Sequence, residues 1–129
     1  MTRGLVTLGA LLLVGCGGPR FDVDTPFAIA FTAPSHGALG IAPATDVRVG
    51  FNQPVDQQAA RANIILSLDD DVPLEASVLF DDGDRVVVLV PVRALPAGET
   101  VTLAVGPEVN NVDGTDLDSS LLAAFTVAP

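Results

Sequence analysis

Tryptophan, tyrosine and lysine are missing from this 129-residue chain, and cysteine, histidine and methionine occur once each. A lone cysteine closes no internal disulfide and supplies too few ligands for a structural zinc site. Without Trp or Tyr, the rings that most often form stacking platforms for sugars are absent. Six arginines against 16 acidic residues leave a formal charge of −10. Phosphate recognition needs clustered cations, so nucleic acid and anionic membrane surfaces are excluded as partners. His36 is the single imidazole, and its neighbour Ser35 points away from it in an extended loop, which leaves no prearranged nucleophile and base. Carboxylates come together only in turns, where solvent keeps both ionised and untuned for acid–base work. The residue inventory therefore implies no enzyme and requires no cofactor.

What the chain has is apolar content, 49% of residues, arranged in two different ways. The first is one short run. Met1 to Cys16 reads MTRGLVTLGALLLVGC, with Arg3 ahead of an apolar stretch from Leu5 to Val14. That stretch falls short of the roughly 20 residues needed to span a bilayer and fits a secretory signal segment. Its end, Leu13-Val14-Gly15-Cys16, resembles the lipobox of bacterial lipoproteins, in which the chain is cut before a cysteine that carries diacylglycerol. The resemblance implies a signal peptide over 1–15, cleavage between Gly15 and Cys16, and acyl chains, palmitate among them, on Cys16. The odd cysteine of an exported protein is thereby explained. Two or three acyl chains hold a protein stably on a membrane where one holds it marginally. Gly17, not Asp, follows the cysteine, a pattern that resembles the outer-membrane sorting signal of enteric bacteria. The expected location is the bacterial cell envelope, lipid-anchored.

Residues 17–26, GGPRFDVDTP, have neither helical nor strand period and read as a tether belonging with the lipidated Cys16. From Phe27 to Pro129 the second arrangement takes over, a period-2 alternation bounded by Pro, Gly, Asn and Asp. Strands are predicted around Phe27–Phe31, Val47–Phe51, Ile64–Leu68, Leu74–Phe80, Val86–Val90, Val101–Val105 and Ala123–Val127. Only 57–62, QQAARA, looks helical, and no βαβ alternation exists to build a parallel sheet. The expected fold is all-β, an antiparallel β-sandwich of about seven strands over 27–129, close to the ~100 residues of an immunoglobulin-like domain. Five of the six Phe (27, 31, 51, 80 and 125) are expected on inward faces.

The order of landmarks resembles the bacterial Ig-like domains of S-layer proteins of the SbsA type. A strand ending in Phe and followed by Pro-Val-Asp is matched by Phe51-Asn52-Gln53-Pro54-Val55-Asp56. A hydrophobic pair before Pro, Leu and Gly is matched by Val87, Leu89, Pro91, Leu95 and Gly98. The closing landmarks are Asn111, Gly114-Thr115, Leu117 and Phe125-Thr126. Val101 stands where the family often has Tyr, Thr115 where it has Asn, and Asn111 where it has Asp. The resemblance implies a non-catalytic structural or adhesive module at the cell surface.

Two candidate sites remain. Acidic turns occur at 69–71, at 81–84 and at 110–118, and in the last of these Asp113, Asp116 and Asp118 flank Gly114. Calcium takes six to eight oxygens, which such a loop could gather, so these three are the candidate metal ligands of a calcium-stabilised adhesion module. The loop lacks EF-hand spacing, and Asp, Asn and Gly are also what turns and sheet edges prefer without any metal. The second candidate is an interface. If Val87 and Leu89 face the core, then Val86, Val88 and Val90 face outward, as a stripe that either neighbouring segments or an envelope protein partner must cover. Loss of residues 1–15 removes Arg3 and no acid, so the mature charge becomes −11 while the core residues stay.

Overall fold

The computed structural model describes residues 26–68 and 71–129. The order of elements is β1 (Ile29–Ala33), β2 (Val47–Phe51), α1 (Gln57–Asn63), β3 (Ile64–Leu68), β4 (Pro73–Leu74), β5 (Ala76–Asp81), β6 (Val86–Pro91), β7 (Thr100–Val105) and β8 (Leu121–Thr126). They form two antiparallel four-stranded sheets, β1-β2-β6-β5 and β4-β3-β7-β8. The sandwich expected from the alternation is the fold observed, with eight strands in place of about seven.

The additional strand arises within the Leu74–Phe80 run. Leu74 pairs with Leu66 in one sheet and Ala76 with Pro91 in the other, so the chain changes sheet at Glu75. Leu74, Ala76, Val78 and Phe80 all pack against the core, so the alternation persists across the switch. Pro73 lies in a two-residue edge strand, where a missing amide hydrogen leaves no ladder bond unmade.

Inward positions of both sheets close on one core, with Val47, Val49, Phe51, Val87 and Leu89 facing Ile64, Leu66, Val101, Leu103, Val105, Ala123 and Phe125. Phe27 stacks on Phe51 with ring centroids 5.5 Å apart. Phe31 departs from the expected pattern. A bulge between Ile29 and Phe31 shifts the register so that Phe31 lies opposite Gly50 instead of Val49. One extra residue reverses every later side chain of a strand. Phe31 is therefore on the outer face, 46% exposed, with its ring over Gly50, where a Cβ would lie 2.6 Å from Phe31 Cζ.

The helix follows from local chemistry. Asp56 is the N-cap, its carboxylate accepting from the Ala59 amide at 2.9 Å, and Arg61 sits in the last turn. Ile64 ends the helix in an extended conformation, as the β-branched pair Ile64-Ile65 opens β3.

Antiparallel pairing fixes two ends. Residues 26–28, 52–56, 81–86 and 106–121 share one, joined by Val55 opposite Asn111 and by the Val112 amide donating to the Pro54 carbonyl. Residues 33–46, 71–75, 91–99 and 127–129 share the other, joined by Leu95 N to Pro43 O and Val92 N to Glu75 O.

Candidate functional site

Of the residues singled out in the sequence, Gly15 and Cys16 lie outside the described residues, as do the signal segment, residues 17–25 of the tether, Asp69 and Asp70. No described helix is long and apolar enough to cross a membrane.

The 110–118 loop is organised by Asn111, whose side chain is buried at 5% exposure. Its Oδ1 accepts from the amides of Asp113 (3.0 Å) and Thr115 (2.8 Å), and its Nδ2 donates to Gln53 Oε1 (2.7 Å). Gly114 takes φ +87°, which only the absence of a Cβ makes easy. Around this hub Asp113, Asp116 and Asp118 are all exposed. Among the described residues no three His, Cys, Asp or Glu side chains gather into a metal-holding group. The acidic turns have another physical basis. Asp71, Asp82, Asp84 and Asp118 all adopt positive φ, between 51° and 77°, a region that aspartate tolerates far better than branched residues. Asp84 also accepts from Gln57 Nε2 at 3.1 Å, tying the β5–β6 turn to α1.

Val86, Val88 and Val90 alternate with the core residues Val87 and Leu89, but Val88 is only 5% exposed and Val86 and Val90 are half-buried. β6 is an inner strand of its sheet, and register places Val88 between Arg48 on β2 and Leu79 on β5. The Arg48 guanidinium reaches Asp81 at 3.6 Å, so its alkyl stem lies along the sheet surface. What remains open on this face is its rim, Phe31 and Leu79, not the middle of the valine run.

Two features escaped sequence reasoning. Residues 73–75 and 91–96 line a groove of about 320 Å³ at the end away from Pro26, with Val92 and Arg93 exposed on its wall. No periodicity marks it, because its lining comes from a sheet switch and a loop. The second is His36, whose Nδ1 accepts from the Ala124 amide at 3.0 Å, 88 residues away in the chain.

The motif around Phe51 is a structural clamp. Asn52 accepts from Ala28 N at 2.9 Å and donates to Pro26 O at 2.8 Å, Val55 is buried beside Asn111, and Asp56 caps α1. Leu95 and Leu117 are buried, and Gly98 takes φ +76°. The landmark residues thus hold the sandwich together.

The comparisons agree with this geometry. A family model described as bacterial Ig-like domain matches residues 23–127. Among solved structures, domains 1–6 of the surface layer protein SbsC superpose with a TM-score of 0.60 at 17% identity, over 83% of this chain and 14% of that one. PcoC, a methionine-rich copper resistance protein from Escherichia coli, superposes with a TM-score of 0.65 at 16% identity, over 80% of this chain and 99% of that one. L,D-transpeptidase 1 of Mycobacterium tuberculosis gives a TM-score of 0.55 at 22% identity, over 78% of this chain and 38% of that one. At these identities the likeness shows the fold. Comparison with curated proteins found no match.

Proposed function

The chain belongs to the bacterial Ig-like domain family, and from that premise we infer that it is a cell-envelope lipoprotein whose domain serves as a structural or protein-binding module without catalysis. The observation that carries this reading is the placement of an Ig-like domain, matched over residues 23–127, seven residues beyond a lipobox-type Leu13-Val14-Gly15-Cys16. Acyl chains on Cys16 then provide the anchor and residues 17–26 the tether. Asn52 grips the backbone at Pro26 and Ala28, so the tether enters at the end formed by 52–56, 81–86 and 106–121. The opposite end, with the groove between 73–75 and 91–96, is presented away from the lipid to an envelope protein partner.

The S-layer similarity supports an envelope setting, since SbsC is a surface layer protein. The copper resistance protein shares the fold, but thioether and imidazole are the ligands that select copper, and this chain has one Met and one His. Mass spectrometry of protein extracted from membranes tests the anchor. A mature N-terminus at a triacylated or diacylated Cys16 is expected, and Cys16→Ser should leave the chain unacylated and in the aqueous phase of a detergent partition. An unmodified Cys16 or an intact Met1 in the wild type overturns the reading.

A further inference from the structure

The β8 edge is covered by the chain itself. The segment 36–41 runs alongside β8 in parallel, with Gly37 N donating to Ala124 O (2.7 Å), Thr126 N to Ala38 O (2.9 Å), Ile41 N to Thr126 O (3.1 Å) and Ala128 N to Ile41 O (2.9 Å). Four rungs of this strap are backbone to backbone. The rung at its start is not. Gly37 takes φ +86° and Ala38 N closes a turn onto Ser35 O, and His36 Nδ1, not a backbone carbonyl, accepts from the Ala124 amide.

That substitution has a chemical consequence. A backbone carbonyl accepts at any pH, whereas imidazole accepts only while one ring nitrogen keeps its lone pair. In the tautomer that makes this bond, Nε2 carries the proton and Nδ1 is the one remaining basic site. A second proton must enter at Nδ1, where it turns the acceptor into a donor facing the Ala124 N–H. We propose that His36 is an acid-labile latch, which holds the start of the 36–41 strap closed on β8 when neutral and releases it when protonated.

Strap residues 34–45 contain no other titratable side chain, and neither do β1, β7 or β8. The nearest in sequence to these elements are Asp46, at the end of the connection, and Glu99, which flanks β7 and whose carbonyl accepts from Val127 N. Release of its start frees the Ala124 backbone within a strand reading Leu121-Leu122-Ala123-Ala124-Phe125-Thr126, six residues without a charge. Such an edge accepts another strand readily. The strap is what guards it. The inference stands on the fold alone and does not depend on the lipid anchor.

Amide hydrogen exchange of the full chain, followed by NMR from about pH 8 to about pH 5, the range over which imidazole commonly changes charge, tests the latch. After correction for intrinsic exchange rates, protection of the Ala124 amide should fall about tenfold or more with acid, while Leu103 in the middle of β7 keeps its protection. His36→Asn offers an amide oxygen that cannot be protonated in this range and should keep Ala124 protected throughout. His36→Ala should leave it weakly protected at every pH. Flat protection of Ala124 in the wild type overturns the proposal, as does a fall shared with Leu103 or an equal fall in His36→Asn. If His36→Asn does not fold, the wild-type contrast between Ala124 and Leu103 decides the matter.

Discussion

At the scale of single residues, two side chains matter more than their surroundings suggest. Asn111 satisfies three hydrogen bonds from a buried position, and the loop has no other polar side chain buried to that degree among the described residues. Asn111→Ala removes the acceptor of the Asp113 and Thr115 amides and the donor to Gln53 Oε1, so it should destabilise the domain by about 2–3 kcal/mol in urea unfolding, well above a typical surface change. Gly50 has no unusual backbone angle, and its smallness serves the Phe31 ring packed above it. Gly50→Ala should therefore cost about 1–2 kcal/mol in the wild type and close to nothing in a Phe31→Ala background. A double-mutant cycle by thermal or urea unfolding reads that difference directly. Equal costs in both backgrounds would show that the ring does not set the requirement.

The elements show how each sheet edge is guarded. β8 lies under the 36–41 strap, β4 is two residues long, and β1 is broken by its bulge. β5 receives Arg61 from α1, which donates to the Val78 carbonyl at 3.2 Å and lies 5.0 Å from the Phe80 ring centroid. A sheet guarded on its edges can still bind through its face, and here the exposure of the β6 stripe decides. Val88 is flanked on both sides while Leu79, at 54% exposure, stands on the outer strand. Val88→Lys should lower stability by about 2–3 kcal/mol without itself reporting on association, whereas Leu79→Lys should stay within about 0.5 kcal/mol. Denaturant midpoints of the two variants check this. Any partner of this face would consequently be lost first through Leu79 and Phe31.

For the whole molecule, charge is distributed by end. Asp56, Asp81, Asp82, Asp84, Glu108, Asp113, Asp116 and Asp118 all belong to the end where Pro26 enters, with Arg85 among them. Exposed like charges repel over roughly 10 Å at 0.1 M salt and much less at 1 M. Calorimetry should therefore show Tm rising by about 2–5 °C between low and high sodium chloride, as screening relieves the repulsion. Calcium at matched ionic strength should add less than about 1 °C beyond that, because the loop carboxylates are not gathered around a common point. A larger shift, abolished by a chelator, would restore Asp113, Asp116 and Asp118 as ligands. The chain spans 14% of the length of the SbsC structure it resembles, so this domain is one module's worth of such a protein.

The sequence by itself determined the class of fold and most of its core. Period-2 alternation assigns residues to faces without knowing what lies opposite, which is why Val47, Val49, Phe51, Val101, Leu103, Val105 and Phe125 were legible as core from spacing alone. A helical stretch was legible at 57–62, and the structure carries it one residue further to Asn63, with the Asp56 cap and the extended Ile64 as its ends. Tertiary structure alone decided whatever depends on a partner distant in the chain. The bulge that turns Phe31 outward is a matter of register against β2, and the covering of Val88 depends on two flanking strands. The sheet switch at Glu75 and the groove beside it need both sheets in place. His36 reads in sequence as a loop residue, and becomes a rung of a β-ladder only because Ala124 arrives beside it. Faces are fixed by local periodicity, whereas register, covering and long-range hydrogen bonds are settled by which strand comes to lie next to which.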